Sequence, residues 1–125
     1  MNLTFSQEDL KFKEEVKDFI SKNLDRTIQK KINNGHHISK DDLVNWQKKL
    51  YEKGWMAPNW PKEYGGTGWS ITQRYIFDEE CGAAAAPSAL PFGVTMVAPV
   101  IIKFGTDKQK EEYLPRILSS DDWWC

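Results

Sequence analysis

The stretch Pro91-Phe92-Gly93-Val94-Thr95-Met96-Val97-Ala98-Pro99-Val100-Ile101-Ile102-Lys103-Phe104 decides the fold. Pro91 suits the first turn of a helix, where its missing N–H costs nothing. Phe92, Val94, Met96, Val97, Ala98, Val100, Ile101 and Ile102 then leave almost no polar face. A helix apolar all round is enclosed by other protein or by a ligand. The greasy stretch Leu90 to Ile102, broken by Pro99, is too short to span a membrane. The segment is therefore expected to be enclosed by neighbours beyond these 125 residues.

Outward from it, the chain keeps reading as helices. Downstream, Phe104-Gly105 ends the apolar run, and Thr106 with Gln109 forms the capping box of a polar helix. Pro115 is expected to interrupt that helix after Leu114, leaving one further turn to Ser119. Trp123-Trp124-Cys125 follow two aspartates and read as the first residues of a strand. Upstream, a helix is expected from Ser70 through Ile71, Tyr75, Ile76 and Cys81 to about Ala85. Its Asp78, Glu79 and Glu80 are consecutive and cannot face one another, so an ion-paired or solvated edge is favoured over an acid–base pair.

Before that helix runs Trp55-Met56-Ala57-Pro58-Asn59-Trp60-Pro61-Lys62-Glu63-Tyr64-Gly65-Gly66-Thr67-Gly68. Its prolines and glycines exclude helix and interior strand, while its aromatic residues say it is packed down. Gly65 and Gly66 lack the setting of a phosphate-binding loop, and a structural tight turn is the better reading. Leu43, Trp46, Leu50 and Tyr51 form the stripe of a preceding helix, opened by Ser39 with Asp42 and closed by Gly54. The first helix is expected from Ser6 to about Ile28, on the spacing of Phe12, Val16, Phe19, Ile20 and Leu24. The loop between them carries His36 and His37, which lack a third ligand and point apart, so no metal site is expected.

The composition agrees. The 125 residues have 40% hydrophobic content, 28% charged residues and a net charge of −1, with lysines and acids interleaved. That excludes a nucleic-acid footprint and a membrane span. One core is affordable, and the six tryptophans imply dense packing or a surface meant to be covered. The start carries Glu8 and Asp9 and reads as no targeting peptide. Cys81 and Cys125 make no disulfide framework, which favours a reduced, cytoplasmic setting. The expected fold class is all-α, an up-and-down or orthogonal bundle of five to six helices.

Two stretches give this chain a family resemblance. Pro61-Lys62-Glu63-Tyr64-Gly65-Gly66-Thr67-Gly68 looks like the loop before the third helix of the acyl-CoA dehydrogenases. Phe104-Gly105-Thr106-Asp107-Lys108-Gln109-Lys110-Glu111-Glu112-Tyr113-Leu114-Pro115 is similar to that family's joint between its fourth and fifth helices. Their order and separation match, and the resemblance covers nearly the whole chain, most weakly before Ser39. The Trp- and Ala-rich middle and the Asp121-Asp122-Trp123-Trp124-Cys125 end look most like the branch containing large subunits of pimeloyl-CoA-type dehydrogenases.

The resemblance implies a division into residues 1–122, an N-terminal helical domain, and residues 123–125, the start of a middle β-domain. It implies an FAD-dependent enzyme that oxidises acyl-CoA thioesters to the α,β-enoyl form. In the family a glutamate of the C-terminal domain takes the α-proton, hydride passes to flavin, and an electron-transferring flavoprotein accepts the electrons. Homo- or hetero-oligomers form through the C-terminal domain. The catalytic base is expected beyond Cys125, and no catalytic, flavin-binding or metal-binding residue is expected within the chain. Alone, the 125 residues are expected to bind no FAD and to turn over nothing. Carried over by position, Pro91, Phe92, Thr95, Met96 and Pro99 are the candidates for a wall of the acyl pocket. The rival reading is a stand-alone, non-catalytic interaction module that uses its apolar helix to bind a partner.

Overall fold

A computed structural model describes residues 4–125. The first three residues, part of the stretch read as no targeting peptide, lie outside it. The fold is an all-α bundle with six α-helices among the described residues: α1 (Gln7–Asn23), α2 (Arg26–Asn33), α3 (Lys40–Lys53), α4 (Ile71–Ala83), α5 (Ala98–Phe104) and α6 (Asp107–Leu118). A short 3-10 turn covers Lys62–Tyr64, and a π-helical segment, Phe92–Val97, runs directly into α5. No helix among the described residues is long and apolar enough to cross a membrane.

Local chemistry starts most of these helices. Ser6, Ser39, Ser70 and Thr106 each accept from the backbone N–H three residues on, and Asp9, Asp42, Gln73 and Gln109 each accept from the N-cap N–H in return. Two otherwise unpaired donors are satisfied in each such box, a contribution of about 1 kcal/mol. Gly54 ends α3 at φ +81°, where a side chain would be strained.

The chain divides into two compact units. The first comprises the residues up to Ile38 together with Trp69–Pro87. There α1 packs on α4. Phe12, Val16, Phe19 and Ile20 are buried on α1, as are Ile76 and Phe77 on α4. Trp69 meets Phe12 edge-on, with ring centroids 5.0 Å apart, and Phe77 at 5.1 Å. Lys13 reaches Glu80 at 3.2 Å and Glu79 at 3.8 Å, so the acidic run on α4 is an ion-paired edge. The single first helix expected to Ile28 is two helices. Leu24 turns extended, and Asp25 caps α2 by accepting from the Thr27 N–H at 2.7 Å. Leu24 and Ile28 remain buried, so the apolar spacing survives a break that the spacing alone does not reveal.

The second unit comprises Ser39–Gly68 and Ser88–Cys125. Its core gathers Ala57, Trp60, Ala98, Leu114 and Ile117, with Tyr64, Val94, Val97, Ile101 and Trp124 packed against it. Burying each large apolar side chain contributes roughly 1.5–3 kcal/mol. Two expectations are corrected here. Tyr51 is exposed, and the inward face of α3 is instead Trp46, Gln47 and Leu50. Pro115 does not interrupt α6, which is continuous to Leu118. Leu114 and Ile117, each 2% exposed, anchor the turns on both sides of the proline. The Arg116 guanidinium also donates to Asp122 at 2.6 Å, and burial with that pairing outweighs one lost backbone bond.

Candidate functional site

The apolar stretch at Pro91 is helical from its first residue, Pro91 having φ −74° and ψ −25°. Gly93 and Ala98 face inward and are buried. Gly93 is closely packed: an added Cβ would stand 3.1 Å from Ile117 and 3.3 Å from Trp124, so those side chains would have to give by a few tenths of an ångström. Val94, Val97 and Ile101 are partly buried against the same core.

The other side of the segment is open. Pro91, Phe92, Thr95, Met96 and Pro99 are all exposed. Phe92 and Met96 are four residues apart, as are Thr95 and Pro99, so the candidates share one outward face apart from Gly93, Val94 and Ala98. Val100 and Phe104 continue the Phe92–Met96 spacing, and the exposures are 41% for Phe92, 56% for Met96, 57% for Val100 and 74% for Phe104. Four large apolar side chains in one row make a surface that water does not favour. Thr95 is the polar residue among the five candidates.

The backbone here is wider than an α-helix. The Ala98 N–H donates to the Gly93 carbonyl, five residues back. Such π-turns are rare and gather at functional sites. Trp60 lies under the segment, 5% exposed, and its Nε1 donates to the Val94 carbonyl at 2.8 Å. Sequence reasoning placed Trp60 only in a packed loop. The one signal for more is an indole N–H, which needs an acceptor once buried.

The glycine loop explains how Trp60 is held. Gly65 takes φ +100°, and a Cβ there would overlap the Leu118 side chain. A Cβ on Gly66 would overlap the Trp60 carbonyl, while the Gly66 N–H donates to the Pro61 carbonyl at 3.1 Å. The loop is a tight structural turn that brings backbone against backbone. Deeper in the same unit, Gln47 ties three segments together. Its Nε2 donates to Ser120 Oγ and its Oε1 accepts from the Leu90 N–H, both at 2.9 Å.

Other chemistry is sparse. Among the described residues no three His, Cys, Asp or Glu side chains group to hold a metal, and His36 and His37 are exposed on their loop. Burial, reinforced by Asp78 and Glu80, pushes the Cys81 thiol up to about 12, which makes it inert as a nucleophile. A groove of about 390 Å³ in the first unit is lined by Lys17, Arg26, Gln29 and Glu80. In the second unit, one cleft of about 380 Å³ lies beside Tyr51, Met56 and Leu118. A cavity of about 20 Å³ borders Gln47, Gly93 and Trp124.

Comparison with known proteins agrees with this architecture. The chain is 49% identical over 69 residues to the acyl-CoA dehydrogenase FadE26 of Mycobacterium tuberculosis, covering 54% of this chain and 17% of that protein. Its fold matches a chain of the ChsE4–ChsE5 complex from Mycobacterium tuberculosis with a TM-score of 0.76 and 29% identity, over 97% of this chain and 30% of that one. It likewise matches the Tcur3481–Tcur3483 steroid ACAD with a TM-score of 0.72 and 31% identity, over 97% of this chain and 31% of that one. The chain thus spans about a third or less of the length of each. Residues 6–121 match the family model "Acyl-CoA dehydrogenase, N-terminal domain". Helix order, capping and this nearly full-length match lead to one assignment: the chain belongs to the acyl-CoA dehydrogenase N-terminal domain family.

Proposed function

We propose that this chain is the N-terminal helical domain of an FAD-dependent acyl-CoA dehydrogenase, and that the outward face of Phe92–Val97 and α5 forms a wall of the acyl pocket. One observation carries the reading: Phe92, Met96 and Val100 stand exposed in a row, with Thr95 and Pro99 beside them. An acyl chain is bound by apolar walls with few polar groups, and this face has that character. Pro91, at the start of the segment, would border the same pocket.

The test uses the complete protein. Tryptophan substituted at Thr95 or Met96 is expected to lower kcat/KM for the longest accepted acyl-CoA by roughly tenfold or more, with short substrates spared and flavin content unchanged. Unchanged chain-length preference in both variants would remove these residues from the pocket.

Among the described residues, the clefts of about 390 and 380 Å³ are open to solvent, which gives little support to flavin binding by this chain itself. The cavity beside Trp124 is far too small. In this reading FAD, the catalytic base and the contacts that make the oligomer all belong to other parts of the protein, and this chain alone turns over nothing. Residues 123–125 would begin the middle β-domain. The buried Trp124 indole N–H, which has no hydrogen-bond partner among the described residues, supports a neighbour still to be supplied there.

The remaining proposals concern the whole protein. Acyl-CoA would be the substrate, an electron-transferring flavoprotein the electron acceptor, and the cytoplasm the setting. The two solved relatives are each named as pairs of chains, which supports a hetero-oligomer, and one is named for a steroid, which puts steroid-derived acyl groups first in a substrate panel. Placement in the branch of pimeloyl-CoA-type large subunits rests on residue likeness alone, so pimeloyl-CoA belongs in the same panel.

A further inference from the structure

An α-helix pairs each N–H with the carbonyl four residues back, and a π-turn with the carbonyl five back. Across Phe92–Val97 the wider pattern holds, ending with the Ala98 N–H on the Gly93 carbonyl. The next carbonyl in that series is Val94's. Its partner four residues on, Ala98, is already engaged, and its partner five residues on is Pro99, which has no N–H. The helix therefore cannot satisfy the Val94 oxygen from within. A buried carbonyl without a donor is costly. The Trp60 indole fills that place at 2.8 Å.

Trp60 is itself fixed. Its backbone N–H donates to the Ala57 carbonyl at 3.1 Å, its carbonyl lies against Gly66, and its ring belongs to the buried core. A rigid donor thus meets a carbonyl that the widened turn and Pro99 leave without a partner inside the helix. Thr95 and Met96 are the two residues after that carbonyl, and they project outward from the turn it anchors.

We propose that Trp60 is a positioning residue for acyl-chain discrimination: its indole N–H holds the widened turn at Val94 and so sets how far Thr95 and Met96 protrude. The lock is a matter of backbone hydrogen bonding. Its consequence for substrates rests on the reading of this face as the acyl wall.

The experiment replaces Trp60 in the complete protein with benzothienylalanine, which keeps the shape and puts sulfur where the N–H was, alongside Trp60→Phe. Each is made with and without Pro99→Ala, which returns an N–H to the helix. Loss of the indole donor is expected to shift the ratio of kcat/KM for a long over a short acyl-CoA about 3- to 10-fold, with flavin content retained. Pro99→Ala should blunt that shift, because the Val94 carbonyl regains a donor. Strict additivity of the two changes would overturn the proposal. So would an unchanged ratio in the benzothienyl variant while tryptophan at Thr95 or Met96 does change it. Should those tryptophan variants also leave the ratio unaltered, the wall reading fails on its own account. Amide exchange across residues 92–104 then decides the lock: faster exchange in the benzothienyl variant upholds it, and unchanged exchange overturns it.

Discussion

The first unit, with α1, α2 and α4, and the second, with α3, α5 and α6, are built by different rules. In the first, regular helices carry much of their instruction locally: a serine cap, apolar residues three and four apart, and charged pairs one turn apart. The second has capped helices too, but there long-range hydrogen bonds, Trp60 with Val94 and Gln47 with Ser120, hold a helix that departs from regular geometry. The candidate wall lies wholly in the second. Local rules suffice to build a scaffold, whereas a shaped surface on an unusual backbone has to be held from elsewhere in the chain.

The sharpest way to break this contrast is Gly66→Ala. The new methyl would collide with the Trp60 carbonyl, and the loop has no room to yield. A loss of about 4 kcal/mol, or failure to fold, is expected in denaturant melts. A loss below about 1 kcal/mol would mean that the loop is far more pliant than its packing implies.

Ser70→Ala is the matching local change in the first unit. It removes one capping box and is expected to cost about 1 kcal/mol, with amide exchange rising chiefly in the first turn of α4. A cost equal to that of Gly66→Ala would erase the distinction.

The smallest effects are electrostatic, and they fall at opposite ends of the pH scale. In the first unit, the hydrogen bond from Lys13 to Glu80, with the charges of Glu80 and Glu79, holds the Lys13 ammonium above the usual lysine range. A raised amine pKa stabilises fully below the unfolded value, and the gain is lost as pH climbs through the folded one, above about pH 10. In the second unit, hydrogen bonds from Ser119 and Lys48 hold the Asp121 carboxyl below the usual range. That gain is present above the unfolded value and is lost as pH falls through the lowered one, below about pH 4. Asp121 is exposed whereas Lys13 is half-buried against Glu80, so salt should weaken the Asp121 effect more. Melts of Lys13→Met and Asp121→Asn across pH should therefore diverge from the parent chain at the alkaline and acid ends respectively.

Legibility followed the reach of each contact along the chain, not the division into units. The caps at Ser6, Ser39 and Thr106, the stop at Gly54 and the all-α class could be read from residue type and spacing, because each rests on neighbours within a turn. The break at Leu24 was hidden by an apolar rhythm that continues through it to Ile28. Pro115 misled for the opposite reason: a local breaker was overruled by the burial of Leu114 and Ile117. The outward face of Pro91, Phe92, Thr95, Met96 and Pro99 was foreseeable only as a run too apolar to be left bare. Its widened backbone was not, since the choice between two hydrogen-bond partners depends on an indole 34 residues away in sequence.

The π-segment also takes up slack. Over the same rise it contains more chain than a tight helix would, and Thr95 and Met96 stand exposed within it. Tightening it to an α-helix without removing a residue would lengthen the segment and turn Phe104 about the axis, so the shape of this face is tied to where α5 ends.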